Sequence, residues 1–220
     1  MNQRNIILVC LFVLNSALAF GQCNFPVPSS SNVMNYAFEP IVAQDKMSLH
    51  VTLEFKGGKS GKAKIELPSK WAGEKDLQKS ITKLTALSAQ TAISDTKSPT
   101  IKQLLFPPNS VVRISYVLIK DWSGSLNAST RFRSDLSPEY FHIVGPASLV
   151  GPKLDLFKTV DVRFDWSRVP PNWSLASSFG IDERCQSFHG SWADAKNYLF
   201  VGGDYRTYHT TIVGNAVDFA

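Results

Sequence analysis

The sequence predicts an all-β fold, an antiparallel β-sandwich with one short helix near the C-terminal end. Short segments in which apolar and polar residues alternate recur along the chain, as expected for strands with one buried face. Clusters of glycine, proline, serine and asparagine separate these segments and predict turns. Many short strands with almost no helix favour antiparallel sheets packed face to face.

The alternation is clearest in three segments of the chain. Every second residue there is aliphatic or aromatic, which places those side chains on one face of a strand. These sets are Leu49, Val51, Leu53 and Phe55; Val112, Ile114, Tyr116 and Leu118; and Val160, Val162, Phe164 and Trp166. We expect them to line the interior of the sandwich. The glycine-rich segment 56–62 follows the first set and predicts a reversal of the chain.

The short helix is predicted to begin near Ser191. Serine is a favourable N-cap residue, and Asp194 follows three positions later. Gly202 and Gly203 are predicted to stop this helix. The segment 71–85 is ambiguous, because the spacing of its leucine and isoleucine residues is also compatible with a helix.

The first residues have the features of a secretory signal peptide. Arg4 precedes the apolar run 6–14, and small residues end the segment at Ala19. The run is about half of the roughly 20 apolar residues that a membrane-spanning helix needs, so no membrane span is predicted. We expect cleavage after Ala19 or Gly21 and a secreted or periplasmic protein.

The predicted signal peptide is the first of three parts in the predicted domain organisation. Residues 1–19 are the predicted signal peptide, and residues 20–34, rich in proline and serine, are a predicted exposed leader. Residues 35–220 are predicted to form a single β-sandwich domain, which is long enough to bury a core of its own.

Two cysteines remain after removal of the signal peptide, which contains Cys10. An even pair in an oxidising compartment favours a disulfide between Cys23 and Cys185. Two unpaired thiols are the alternative, because the distance between the residues cannot be read from the sequence.

The positive charge of the chain does not indicate nucleic-acid binding. The net charge is +5, yet the lysines and arginines are dispersed among acidic residues. The densest cluster, in the segment 56–64, lacks the interleaved aromatic side chains that stack on bases. We therefore expect no nucleic-acid partner.

The sequence contains no recognisable catalytic or metal-binding motif. The zinc signature H-E-x-x-H is absent, as is the G-x-S-x-G turn of serine hydrolases. The histidines fall in separate predicted strands and loops; they are His50, His142, His189 and His209. We predict no catalytic, metal-binding or cofactor-binding residue in this chain, and whether it is an enzyme stays open.

The tryptophans are the remaining candidates for a binding surface. Trp166 is in phase with predicted core positions. Trp71 and Trp122 lie in predicted loops, so these two are the candidates for a surface contact.

Four short motifs resemble one known module. They are Leu67-Pro-Ser-Lys-Trp-Ala-Gly73, Ile81-Thr-Lys-Leu-Thr-Ala86, Pro171-Asn-Trp-Ser-Leu-Ala-Ser177 and Gly203-Asp-Tyr-Arg206. Together they resemble the N-terminal domain of the glycyl aminopeptidase family of zinc metallopeptidases, over roughly Met47 to Val213. The resemblance implies that 81–86 is a strand and that Trp173 and Trp192 pack internally. Ala72 departs from the pattern, since proline is usual there.

The resemblance implies a domain that does no chemistry itself. In that family a β-sandwich precedes a zinc-containing catalytic domain, supports it and shapes one wall of the substrate cleft. Zinc is then expected only in a catalytic domain that this chain lacks, and the expected partners are that domain and a peptide substrate. The apolar end of the sequence suggests that it stops where a further domain would begin.

Two other functions remain open at this point. The chain would alternatively be a stand-alone secreted or periplasmic protein that binds a peptide or glycan through loops at one end of the sandwich. A hydrolase with an unrecognised site is the third hypothesis.

Overall fold

The computed structural model describes residues 23–124, 127, 130–206, 208–212 and 215–219. The predicted signal peptide and its cleavage sites after Ala19 and Gly21 lie outside the described residues. The first strands are β1 (Val33–Ala43), β2 (Lys46–Lys56), β3 (Lys62–Glu66), β4 (Lys70–Trp71), β5 (Glu74–Lys75), β6 (Ile81–Ala86), β7 (Ala92–Asp95), β8 (Ile101–Leu105) and β9 (Val111–Ile119).

The second half of the chain contains further short strands and two helices. The strands are β10 (Asp135–Ser137), β11 (Tyr140–Val144), β12 (Gly151–Pro152), β13 (Thr159–Asp165), β14 (Ser174–Ser177), β15 (Gly180–Ile181), β16 (Cys185–Ser191), β17 (Leu199–Gly203), β18 (Tyr208–Ile212) and β19 (Asn215–Phe219). The helices in the described part of the chain are α1 (Gly145–Ser148) and α2 (Trp192–Lys196), and a 3₁₀ turn spans Leu77–Ser80.

Three sheets make up the sandwich. The largest has the strand order β16-β13-β1-β2-β9-β6, and the other two have the orders β10-β11-β17-β14-β15 and β12-β3-β8-β7. Within the described residues, pairing in these sheets is antiparallel except between β1 and β13, which run parallel. The all-β class and the packing of antiparallel sheets are thereby confirmed.

The alternating segments form strands of the largest sheet, as predicted. The apolar residues of β2, β9 and β13 are buried in one hydrophobic core that also includes residues of the two smaller sheets. Polar residues of the same strands face outward because successive side chains of a strand point to opposite faces. The core lies between the largest sheet and the smaller ones.

A stack of aromatic rings joins the sheets at the centre of the core. The Trp166 ring, directly after β13, stacks on Phe38 with ring centroids 3.9 Å apart and planes 8° apart. Phe141 of β11 stacks on the same indole at 5.4 Å, and Phe200 of β17 contacts it at 4.9 Å. Trp166 and Trp173 therefore pack internally, as predicted, with Trp173 9% exposed.

The disulfide between Cys23 and Cys185 is present and ties the leader to β16. The two Cα atoms lie 5.5 Å apart across 162 residues of sequence. Two side chains of the sheet also bind the leader. Asn35 Nδ2 and Arg163 Nη1 each donate a hydrogen bond to the Pro26 carbonyl oxygen, at 3.1 Å. β1 begins at Val33, which is buried, so the last residues of the predicted leader already belong to the sheet.

One local prediction was wrong, and another segment connects different sheets. The glycine-rich segment after β2, where Gly61 has the expected positive φ of 64°, does not link paired strands, because β2 pairs with β1 and β9 whereas β3 pairs with β8 and β12. The segment carries the chain from one sheet to another. Gly202 and Gly203 do not stop the helix; they end strand β17, and α2 ends earlier, with Asn197 as its C-cap.

The ambiguous segment 71–85 is not an α-helix. Leu77–Ser80 forms the 3₁₀ turn and Ile81–Ala86 forms β6, the edge strand beside β9. The pairing register shifts between Thr82 and Thr85, where Lys83 has a φ of 49°. A β-bulge of this kind explains why the apolar spacing did not follow the period of two.

Candidate binding cleft

A cleft with a volume of about 500 Å³ opens beside α2. Three segments that are far apart in sequence form it: 66–71 after β3, 146–156 around α1 and β12, and 192–197 in and after α2. The first segment overlaps the motif at 67–73, and the third contains the predicted short helix. We call this feature the α2 cleft.

Close backbone approaches shape the cleft. Ser191 caps α2 by accepting a hydrogen bond from the Asp194 N–H at 3.1 Å, as predicted, and the helix then places Trp192 in the interior, 2% exposed. A Cβ atom on Gly151 would lie 2.6 Å from the Trp192 ring, and one on Gly145 would lie 2.0 Å from the Lys196 carbonyl oxygen. Glycine is therefore required at both positions for α1, β12 and α2 to meet.

Trp71, one of the two predicted contact residues, lines the α2 cleft. It lies on the β4–β5 hairpin and meets Phe132 edge to face, with ring centroids 4.9 Å apart. Arg133 anchors the hairpin, since its guanidinium donates to Glu74 at 3.2 Å and to Asp121 at 2.5 Å. Trp71 is half-buried, so part of the indole is presented to the cleft and part is used in packing.

The charged residues of the cleft are mostly basic. Lys70 and Lys153 are exposed at its rim, and Glu66 is the one acidic residue in its lining. Lys196 is half-buried in the wall, where burial lowers the pKa of its ammonium group and the charge of Glu66 partly opposes this effect. Its Nζ lies 5.3 Å from the centre of the Trp192 ring.

Trp122, the other predicted contact residue, is not part of this cleft. Its Nε1 donates a hydrogen bond to the Ser134 carbonyl oxygen at 3.0 Å, and Lys120 Nζ lies 3.9 Å from the ring centre. The same ammonium is 2.8 Å from Asp135 Oδ1, which holds it in place. One face of the Trp122 ring is therefore already covered by a charge of the protein itself.

His142 lies beside this group and makes stability depend on pH. Burial lowers the pKa of its imidazole below the unfolded value of 6.5, and the cross-strand charge of Asp135 opposes that shift. The unfolded chain therefore binds a proton first, and stability is lost as the pH falls below 6.5. We expect His142→Gln to flatten the decline in unfolding free energy between about pH 7.5 and 5, measured by urea denaturation.

The matched control for this prediction is His50→Gln, at an exposed position on β2. This variant is expected to keep the decline of the wild type. A His142→Gln profile as steep as that of the wild type would contradict the assignment.

The described residues do not offer a ligand set for zinc. No group of three or more His, Cys, Asp or Glu side chains converges among them. His50, His142 and His189 lie on β2, β11 and β16, and His189 Nδ1 is 2.7 Å from Asp161 Oδ1 in an exposed pair. Likewise, no helix in the described part of the chain is long and apolar enough to cross a bilayer.

Lys196 and Glu66 are the cleft residues that sequence analysis missed. A lysine in the last turn of a helix is ordinary, because it interacts favourably with the helix dipole. The cleft wall around it also includes Pro146 and Leu149, which come from another segment of the chain. No local sequence signal distinguishes such a lysine from a solvated one.

Comparison with known proteins identifies a similar fold but does not identify a family for this chain. No protein-family model and no curated protein matches the sequence. The structure of an aminopeptidase N family protein from Idiomarina loihiensis superposes with a TM-score of 0.64 at 18% identity, over 84% of this chain and 32% of that one. An M1 zinc metallopeptidase from Deinococcus radiodurans is more distant, with a TM-score of 0.43 at 13% identity over 87% of this chain and 47% of that one.

The first of these structures establishes a shared β-rich fold over most of the chain. The chain spans about a third of that protein's length, 32%. The fold is therefore similar to one part of an aminopeptidase N family protein.

Proposed function

We propose that the chain is the non-catalytic N-terminal β-sandwich domain of a secreted aminopeptidase-type metallopeptidase. In this role it supports the catalytic domain and shapes one wall of the substrate cleft. The observation that carries the proposal is the partial match: 84% of this chain superposes on 32% of a longer aminopeptidase N family protein. The glycyl aminopeptidase type rests on the four sequence motifs.

The surface next to the α2 cleft supports a docking role. Leu156 is 49% exposed and Phe157 is 86% exposed, and both lie in the loop that leads from β12 to β13. Adjacent exposed apolar side chains of this size are typical of surfaces that another protein domain covers. In this proposal the catalytic domain contacts that loop and supplies the zinc and its ligands.

Secretion is part of the proposal. It is supported by the signal-peptide features of residues 1–19, and a disulfide such as Cys23–Cys185 forms and persists in oxidising compartments.

A stand-alone binding protein is the second candidate function, and the α2 cleft is the observation that favours it. Its volume of about 500 Å³ is in the range of small-ligand sites, about 300–1,000 Å³. Glycan binding usually needs an exposed aromatic face, whereas Trp122 is covered by Lys120 and Trp71 is half-buried. A peptide is therefore the better supported ligand of the two.

Assays on the purified, disulfide-bonded chain test whether it is catalytic. We expect no stoichiometric zinc by atomic absorption and no release of product from a glycyl chromogenic substrate. Either one zinc per chain or measurable turnover would contradict the proposal and favour a hydrolase.

A further inference from the structure

We propose that the α2 cleft binds the C-terminal end of a short peptide, with the free carboxylate at Lys196 and an apolar last side chain against Leu156. This site goes beyond the scaffold role proposed above. Because Leu156 belongs both to the cleft lining and to the proposed docking loop, the site is proposed for the chain without a docked catalytic domain.

The shape and lining of the cleft suit an apolar side chain. Pro68, Leu149 and Trp192 form a buried apolar base beneath the cleft. Leu156 lines the same cleft and is 49% exposed, so it presents apolar surface to a ligand side chain. The volume of about 500 Å³ leaves room for two or three residues of a peptide.

The ammonium group of Lys196 is the group in the cleft that we expect to bind an anion. The Lys196 side chain is half-buried in the cleft wall, where its Nζ lies 5.3 Å from the centre of the Trp192 ring, and within the described residues it makes no salt bridge or hydrogen bond. A partly desolvated ammonium without an ion-pair partner is costly, and a ligand carboxylate would compensate it. Lys70 and Lys153 at the rim add attraction, and Glu66 is the one opposing charge in the lining.

The donor set favours a carboxylate over a phosphate. The described residues that line the cleft include no arginine, and arginine forks or several converging amides are the usual means of holding a phosphate group. One half-buried ammonium beside an indole suits a single negative charge attached to an apolar body.

A peptide fits the rim better than a fatty acid does. Ser69 and Asn197 are exposed polar residues of the lining, and their side chains offer hydrogen bonds to the amide groups of a peptide. A fatty acid would leave both residues beside a hydrocarbon chain. The carboxylate is the chemistry shared by the two ligands, and the experiment separates them.

Calorimetric titration of the disulfide-bonded chain with three probes tests the inference. The probes are N-acetyl-Ala-Ala-Leu with a free carboxylate, the same peptide as its C-terminal amide, and octanoate. We expect the free acid to bind at least about tenfold more tightly than the amide, because a charge-assisted hydrogen bond is lost in the amide. Octanoate is expected to bind more weakly than the peptide acid.

Two lysine variants test where the carboxylate of the peptide binds. Lys196→Gln is expected to weaken binding of the peptide acid about tenfold or more and to leave the amide unchanged. The matched control is Lys59→Gln, which removes the same charge from an exposed position outside the cleft and is expected to change neither affinity. If Lys196→Gln does not fold, the comparison of acid with amide on the wild type still decides the matter.

Three results would overturn the inference. They are equal affinities for acid and amide, an unchanged affinity of the peptide acid for folded Lys196→Gln, and octanoate binding at least as tightly as the peptide acid. The last result would assign the cleft to fatty acids.

Discussion

Replacing Trp166 by alanine is expected to lower the free energy of unfolding by about 3–5 kcal/mol. The indole is fully buried, stacks on Phe38 at 3.9 Å and on Phe141 at 5.4 Å, and contacts Phe200. Its Nε1 donates a hydrogen bond to Gln186 Oε1 at 3.2 Å. Alanine leaves a cavity at the junction of two sheets and leaves a buried amide oxygen without its donor. Urea denaturation followed by circular dichroism measures the loss.

Two further variants separate packing from an unspecific effect of mutation. Trp166→Phe keeps an aromatic ring in the stack but loses the hydrogen bond to Gln186, so we expect a smaller loss than for alanine. Val42→Ala changes a residue that is 51% exposed on β1 and is expected to cost less than about 1 kcal/mol. A Trp166→Ala loss as small as that of Val42→Ala would contradict the assigned core.

Removing the disulfide is expected to lower the free energy of unfolding by about 4–5 kcal/mol. Cys23 and Cys185 are separated by 162 residues, so the cross-link restricts a very long loop of the unfolded chain. The double variant Cys23→Ser/Cys185→Ser avoids a stray thiol, and denaturation in urea measures the change. Its leader is also expected to become a site of rapid proteolysis, because the covalent link to β16 is lost.

Reduction of the wild type provides the control for the disulfide prediction. Wild-type protein in excess dithiothreitol should unfold at the urea concentration of the double variant, and the double variant itself should not respond to the reductant. A double variant as stable as the oxidised wild type would show that the cross-link contributes nothing to stability.

The main strands could be predicted because their pattern is local. In β2, β9 and β13 one face is buried and the other is solvated, so the period of two appears directly in the sequence. The disulfide could also be predicted, from the cysteine count and the signal-peptide features of residues 1–19. The helix start followed from Ser191, since N-capping is a contact between residues three positions apart.

Other features of the fold depend on contacts between distant segments. The parallel pairing of β1 with β13 joins residues near 35 to residues near 163, and no local pattern specifies that partner. The glycines at 202 and 203 suggested a helix stop, yet Phe141 and Tyr140 pack over them in the sheet. A Cβ atom on Gly203 would lie 2.6 Å from that of Tyr140, so the glycine serves close strand packing.

The candidate site was predicted only in part. Trp71 was singled out as a loop tryptophan and does line the α2 cleft, whereas Trp122 was singled out for the same reason and packs under Lys120. The difference between them arises from tertiary neighbours. Lys196 became a candidate only when the structure placed it in the cleft wall without an ion-pair partner among the described residues.

The most direct test of the proposed role is isolation of the native protein from its host with an antibody against the folded sandwich. Intact-mass measurement and peptide sequencing then identify what accompanies these residues. We predict that a zinc domain with the H-E-x-x-H signature is recovered, either on the same polypeptide or in a stable complex with it. Recovery of a secreted protein that ends at Ala220 and has no such partner would contradict the account.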